Sequence, residues 1–429
     1  MILKQLQKQI EQQKRGEFIY PLYKNYCFSN IPSAILSLFG KHINNPLSKI
    51  LEKAKINSSN SKKVILLFID SFGYKQWLKY AERYEFFKKI TKRGVVAPLT
   101  TVFPSTTAAT QNTIHSGLTP QEHGLLEWWV YFEEIDKIIS TLPFTPVGEK
   151  GRDKLLDDGV DPKILFDGKT IYQILAESKI PSFTFIRDVY AQSAYSKLVH
   201  QGSVTIPFIN SSDLLVNLRK KIVEIPSAAY FYIYWDAVDS ISHTYGPETD
   251  QYLAELNGFS YLLQKEFLEK IDKQLAKEIV ILITSDHGQV SIDPKETIYL
   301  NQYPEITDNF CLGPSGNKIL PWGSPRDVFL FIQEEKLQST FEFLNKILNG
   351  KATIMRTEKA IKENLFGHGN PHKKFKSRIG NILILPHNNN TVWYEHIKNE
   401  RLKLYGMHGG LSDDEMLIPF VVAKLSKLF

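Results

Sequence analysis

Cysteine is scarce in this chain: Cys27 and Cys311 are the two in 429 residues, and they form no CxxC unit. That excludes a disulfide framework and suggests a reducing compartment. No apolar stretch approaches the ~18 residues that signal a membrane span. The opening Met1-Ile2-Leu3-Lys4-Gln5-Leu6 runs straight into polar residues, without the long apolar region or small-residue cleavage site of a secretory leader. The expectation is a cytoplasmic protein with no membrane partner. Charge of one sign is missing too, since 52 Lys and Arg stand against 46 Asp and Glu, a net +6 spread along the chain. There is no basic-aromatic cluster, so a dedicated nucleic-acid partner is not expected. The small surplus suits either an anionic small molecule or solvated surface lysines.

What the chain does have is a series of short apolar runs ending in polar residues. Val64-Ile65-Leu66-Leu67-Phe68-Ile69 ends on Asp70. Further runs cover 182–186, 229–235, 278–284, 328–332, 379–385 and 418–422. Continuous apolar runs are the mark of strands buried on both faces. Between them, Leu253, Leu256, Phe259, Leu262, Leu263, Phe267 and Ile271 form one helical stripe. The alternation predicts a doubly wound, mostly parallel α/β sheet flanked by helices. Residues 1–60 read as a helical, polar N-terminal extension, closing on the loop-like Asn57-Ser58-Ser59-Asn60-Ser61. Residues 61–290 and 379–429 read as the core. The proline-punctuated stretch 291–378 reads as an inserted small α+β subdomain or lid, or as an excursion of the main domain.

Five segments carry side chains with chemistry. Asp70 follows a buried run and precedes Ser71-Phe72-Gly73. Phe103-Pro104-Ser105-Thr106-Thr107 leads into a helical Ala-Ala-Thr-Gln-Asn-Thr-Ile, so a hydroxyl meets a helix N-terminus, where free N–H groups and the dipole favour an anion. Asp239 and His243 stand four apart on one face of a helical turn that Gly246-Pro247 stops, with Asp236 as a competitor for Asp239. Asp286-His287 ends the run 279–283 at Gly288. His408 precedes Gly409-Gly410 in a loop feeding the run 418–422. Taken singly, each has an ordinary structural explanation, as a cap, a surface pair or a turn. Taken together they supply three carboxylates, three imidazoles and a hydroxyl. Most lie just past a predicted strand, where a doubly wound sheet gathers its ligands. That is an inventory for two divalent ions about 3.5–4 Å apart, which can hold both oxygens of an in-line phosphoryl displacement.

On these residues the chain resembles the nucleotide pyrophosphatase/phosphodiesterase branch of the alkaline phosphatase superfamily, over roughly 62–130, 229–290 and 403–424. Gly117-Leu118-Thr119-Pro120-Gln121-Glu122-His123-Gly124 resembles that family's Gly-Leu-x-Pro-x-x-His-Gly signature. The resemblance implies that Asp70, Thr107, Asp286 and His287 hold one metal, and that Asp239, His243 and His408 hold the other. It implies Thr107 rather than Thr106 as the nucleophile, because Thr107 lies ten residues before Gly117. His123 is then structural. One departure stands out. Vertebrate-type members carry an asparagine five residues after that histidine as a phosphate donor; here Trp128 takes the position, followed by Trp129.

The expected reaction is hydrolysis of a phosphate diester or phosphoanhydride through a phospho-threonine intermediate, with Zn²⁺ as the first candidate metal and Mn²⁺ as the second. The expected partner is a small phosphodiester or nucleotide, with Trp128 as a candidate substrate contact. A phosphomonoesterase or phosphonate hydrolase using the same site is one alternative. A non-catalytic nucleotide-binding protein is another. The identity of the diester and the oligomeric state have no code in the sequence.

Overall fold

The computed structural model describes residues 1–57 and 62–429. The residues 58–61 of the expected N-terminal loop lie outside the described set. Seven strands build the central sheet: β1 (Lys63–Ile69), β2 (Val95–Thr100), β3 (Ser182–Arg187), β4 (Val204–Phe208), β5 (Ala229–Trp235), β6 (Ile279–Thr284) and β7 (Leu417–Lys424). Their order is β2-β7-β6-β1-β5-β3-β4. The ladders β6-β1, β1-β5, β5-β3 and β3-β4 are parallel, and β7 runs antiparallel to both its neighbours. This is the mostly parallel sheet that the apolar runs predict. β1 and β6 are buried along their whole length, as helices on both faces require. The edge strands β2 and β4 are not announced by such runs. Each carries a proline (Pro98, Pro207), which an edge tolerates because it lacks only an outward N–H; on β2 the outward N–H groups of Val96 and Thr100 donate to the carbonyls of Met1 and Tyr26 in the N-terminal segment.

Register sets the level of the site. Ile69 pairs with Trp235, and Phe68 with Thr284. The chain therefore leaves β1, β5 and β6 side by side at the same edge. Because β7 is antiparallel, its start is level with the end of β2, where Leu417 pairs with Thr100. The loop before β7 reaches the same edge from the other side.

A second sheet of seven short strands lies beside the first. Its order is Ala352–Arg356, Ile382–Pro386, Asp327–Leu330, Trp322–Ser324, Trp129–Phe132, Lys137–Ser140 and Thr145–Pro146, antiparallel throughout. Both faces are covered. Val328, Leu330, Ile354, Ile382 and Ile384 pack in a separate core with Leu344 and Leu348. Phe329, Met355, Leu383 and Leu385, one residue out of phase, join the main core. The apolar runs at 328 and 382 thus belong to this sheet and not to the central one. The stretch 291–378 supplies three of its strands; the others come from 129–146 and 382–386.

The N-terminal segment holds the helices Lys4–Glu11, Ile31–Leu38 and Ser48–Lys53. Leu6, Ile10, Phe28, Ile31 and Ile35 are buried in the main core, so the segment is a packed wing rather than a polar appendage. The stripe expected over 253–271 begins as the helix Asp250–Leu262 and passes into a π-turn at Leu263–Phe267. The extra residue per turn rotates the stripe, and Leu263, Phe267, Leu268 and Ile271 stay buried. Among the described residues no helix is long and apolar enough to cross a membrane.

Candidate metal centre

All seven expected ligand positions meet at the carboxyl edge of the central sheet. Asp70 leaves β1, and Ser285-Asp286-His287 leaves β6. The helix Ala237–Tyr245 follows β5 and presents Asp239 and His243 one turn apart. Thr107 is the first residue of the helix Thr107–Ser116, whose C-terminal end is closed by Gly117 at φ +81°. His408 follows the short strand Gly406–Met407, which pairs with Val290–Ser291 just beyond Asp286-His287.

Two donor sets form, Asp70 with Asp286 and His287, and Asp239 with His243 and His408. Within each, the ligand atoms lie within 4.8 Å of one another. In the first set, His287 Nε2 is 3.2 Å from Asp286 Oδ2 and 3.7 Å from Asp70 Oδ1. In the second, His243 Nε2 is 3.5 Å from Asp239 Oδ1 and 3.3 Å from His408 Nε2. The His287 and His408 rings stack at 3.6 Å, so the two sets abut. Thr107 Oγ1 belongs to the first, 3.2 Å from His287 Nε2 and 3.5 Å from Asp70 Oδ2.

The hydrogen bonds fix the tautomers. His287 Nδ1 faces Gly288 O at 3.1 Å, His243 Nδ1 faces Gly406 O at 2.8 Å, and His408 Nδ1 faces Ser105 O at 3.1 Å. A carbonyl only accepts, so each Nδ1 carries the hydrogen and each Nε2 presents its lone pair to the centre, the arrangement of a metal-ligating histidine. Asp286 Oδ1 accepts from the N–H groups of Ser71 and His287, both at 3.0 Å. Its other oxygen, Oδ2, and Asp70 Oδ1 are buried with no hydrogen-bond partner among the described residues. Buried carboxylate oxygens left unpaired are costly. A divalent cation answers that cost, and the mixed imidazole and carboxylate set suits one.

The electrostatics agree. Burial, and then the charges of Asp286 and Asp239, push the Asp70 carboxyl well above the usual range. Burial also raises Asp286 and lifts Asp239 to about 6. Burial pushes His287 down to about 3 and His408 well below its ordinary value, which keeps both imidazoles neutral. Three crowded acids and neutral imidazoles make a site short of positive charge.

A family model described as type I phosphodiesterase / nucleotide pyrophosphatase matches residues 64–411. The chain belongs to that family. A venom phosphodiesterase of Crotalus durissus collilineatus is 20% identical over 239 residues, 54% of this chain and 27% of that protein. A bis(5'-adenosyl)-triphosphatase of Xenopus laevis is 28% identical over 198 residues, 44% of this chain and 37% of that protein. The chain thus spans well under half the length of these curated relatives. Murine ectonucleotide pyrophosphatase/phosphodiesterase 5, solved as an inactive threonine-to-alanine variant in complex with AMP, superposes with a TM-score of 0.61 at 18% identity, over 85% of this chain and 88% of that one. The phosphonoacetate hydrolase of Sinorhizobium meliloti 1021 superposes with a TM-score of 0.60 at 15% identity, over 86% and 94%.

In this family member the Gly-Leu-x-Pro-x-x-His-Gly histidine is held structurally. His123 Nδ1 accepts from the Leu125 N–H, and Nε2 lies 3.1 Å from Thr113 Oγ1. Asp236 stays outside both donor sets and accepts from the Tyr190 hydroxyl. Trp128 is 40% exposed and stands between two cavities that share Thr107 and Asp239. One, of about 190 Å³, is lined by Asp70, Arg152, Tyr190, Tyr195 and Tyr234. The other, of about 400 Å³, is lined by Trp129, Trp393, Leu402, Leu404, Met407 and His408. Two groups escape the sequence reading. The Tyr234 hydroxyl donates to Asp70 Oδ2, and the Gln289 amide donates to Asp239 Oδ1 at 2.5 Å. The one available signal was the alternation Tyr230, Tyr232, Tyr234 along a buried strand, where buried hydroxyls tend to find partners, as those of Tyr232 and Tyr234 do.

Proposed function

We propose that this chain is a two-metal phosphodiesterase or nucleotide pyrophosphatase that works through Thr107. The observation that carries the reading is the place of Thr107 Oγ1, at a helix N-terminus and within 3.2 and 3.5 Å of two members of one donor set while the second set abuts it. Asp70, Thr107, Asp286 and His287 would hold one ion, and Asp239, His243 and His408 the other, with Zn²⁺ first and Mn²⁺ second as candidates. A bound pair of cations supplies charge neutralisation and lowers the pKa of a hydroxyl or a water.

The chain's own groups set the rest. The Thr106 side chain does not cap the helix Thr107–Ser116, so its first N–H groups and dipole favour negative charge beside Thr107. Thr107 Oγ attacks phosphorus in line, a P–O bond to threonine forms, and the ester P–O bond opposite breaks. Water then attacks the phospho-threonine and frees the hydroxyl. Two displacements retain configuration at phosphorus. His243 and His408 line the larger, apolar cavity, which suits a leaving group with an aromatic or aliphatic body. Tyr190 and Tyr195 in the smaller one suit the group that stays on phosphorus. The inactive threonine-to-alanine variant of the murine relative supports the role given to Thr107.

Thr107→Ala tests this. Turnover of bis-p-nitrophenyl phosphate should fall on the order of 10³-fold or more with zinc content kept. Turnover within a few-fold of the parent would remove Thr107 from the reaction. On the parent protein, the p-nitrophenyl ester of thymidine monophosphate should be cut faster than p-nitrophenyl phosphate; the reverse order would make the chain a monoesterase.

A further inference from the structure

The smaller cavity beside Thr107 carries polar groups that the two donor sets leave unused. Gln111 follows Thr107 by one turn of the same helix, which puts it on the same face about 6 Å farther along. It is 6% exposed. The Oε1 corner of its amide belongs to the core, accepting from the Tyr232 hydroxyl at 3.1 Å and lying 3.0 Å from His115 Nε2. The Nε2 corner has no hydrogen-bond partner among the described residues, and Gln111 lines the cavity. His200, equally buried, lines the same cavity with its Nδ1 unpartnered. Burial pushes it down to about 3, so it is neutral and keeps one N–H to give. Buried polar groups left unpaired are costly, and two of them stand in one cavity. The wall also carries a charge. Arg152 sits on a loop that is tied down, since the Thr145 hydroxyl donates to the Gly151 carbonyl at 3.2 Å and the Asp153 N–H to the Pro143 carbonyl at 2.8 Å. Among the described residues the guanidinium enters no ion pair. It donates from Nη1 to the Leu142 carbonyl at 3.3 Å and lies 5.0 Å over the Tyr190 ring. Asp153 commits both carboxylate oxygens to the Ala194 N–H, at 3.1 and 3.2 Å. Asp236, on the cavity wall, takes the Tyr190 hydroxyl and feels the charge of Arg187.

We propose that this cavity selects substrates whose retained group ends in an oxyanion, a carboxylate or a second phosphate, held by Arg152 and by the Gln111 amide. The inference rests on the reading of the smaller cavity as the seat of the group that stays on phosphorus. A guanidinium presents paired N–H groups that match two oxygens of either anion, and the Tyr190 ring beneath it holds its plane. Gln111 Nε2 supplies a further donor from the helix that carries the nucleophile. Asp70 and Asp239 also line the cavity, but both belong to the donor sets. Arg152 borders the first of those sets, because it lies near enough to Tyr234 to feel it electrostatically, and Tyr234 donates to Asp70. A neutral nucleoside in the same place would leave the guanidinium without a counter-charge.

The test is calorimetric binding of 3-phosphonopropionate and 4-phosphonobutyrate to the zinc-loaded chain, each against its carboxamide, which keeps the shape without the charge. Within a pair the phosphonate ends are identical, so the difference reads the other end. At least one acid should bind about tenfold or more tighter than its amide. Arg152→Met keeps the aliphatic stem over Tyr190 and should bring that ratio close to one, whereas a merely structural Arg152 would weaken acid and amide alike. Gln111→Leu should weaken the acid several-fold, and unchanged binding there would remove the amide from the site. Propane-1,3-bisphosphonate against propylphosphonate gives the phosphate arm; an Arg152-dependent gain in either arm supports the proposal, and the larger gain names the anion. Equal binding of acid and amide at both lengths with no gain in the phosphate arm, or a preference that survives Arg152→Met, would overturn it. The readout needs no turnover. A lost preference with turnover still abolished in Thr107→Ala would therefore condemn this inference alone, and the reverse pattern would condemn the nucleophile alone.

Discussion

At the scale of single residues, the groups that stand out in the sequence are those that end an apolar run. Asp70, Asp286 and His287 follow directly on the turns that leave buried strands, where polarity after an apolar run is conspicuous. Tyr234 is hidden because an aromatic residue inside a strand reads as core. Its hydroxyl nevertheless donates to Asp70 Oδ2, and partners of this kind orient a metal ligand. Tyr234→Phe keeps the ring and its edge contact with Phe68 but leaves Asp70 without that donor. Metal affinity or activity at limiting zinc should fall about 10–100-fold, with much of the activity recovered at saturating zinc. Zinc titrations of the two proteins decide it, and superimposable curves would make the hydroxyl idle. Trp128 marks the other limit of residue-level reading. Its position in the motif was visible, but its place between two cavities depends on a second sheet that no local pattern reveals.

Among elements, the strand–turn–ligand units were legible because parallel strands buried on both faces read as unbroken apolar runs. The second sheet was not, because its runs at 328–332 and 379–385 are as apolar as those of the central sheet, both faces being buried, and nothing local says which sheet they join. The edge strands were masked by Pro98 and Pro207. The turn after β6 shows how tightly such a unit is built. A Cβ on Gly288 would lie 2.0 Å from the backbone carbonyl of Asp414 and 3.3 Å from Gly73 Cα. Neither is a flexible side-chain tip, so the backbone has to move. Moving it displaces His287, whose Nδ1 is held by the Gly288 carbonyl itself. Gly288→Ala should therefore destabilise the fold by about 1–3 kcal/mol and weaken zinc binding together with it. Thermal melts with and without zinc read both effects. An unchanged melting temperature would mean that this turn has slack the packing does not show.

At the scale of the whole molecule, the site is a seam. The central sheet brings Asp70, Asp239 and Asp286 to one edge, and the second sheet closes over them with Glu127, Trp128 and Ser324. The long-range pairing that makes the seam has no signature in local sequence, which is why ligands were readable and their enclosure was not. Enclosure has a consequence for the protein as a whole, because burial raises the acids. Asp239 titrates at about 6 against an ordinary 3.8, and Asp70 and Asp286 shift the same way. A carboxyl with a native pKa above its unfolded one contributes fully to stability below the unfolded value, and that contribution is lost as pH rises through the native value. For Asp239 the window runs from about pH 4 to pH 6. Metal binding reverses the loss, since ligating carboxylates must be deprotonated. Below pH 6 binding has to expel the proton, at about 1.4 kcal/mol per pH unit for each proton displaced. His287 and His408 add no such cost, because burial already keeps them neutral. The rise in melting temperature that zinc confers over the chelated protein, at fixed free zinc, should grow from pH 5 to pH 7. A zinc effect that is flat across that range, or largest at pH 5, would show that these buried carboxyls are not what the metal meets.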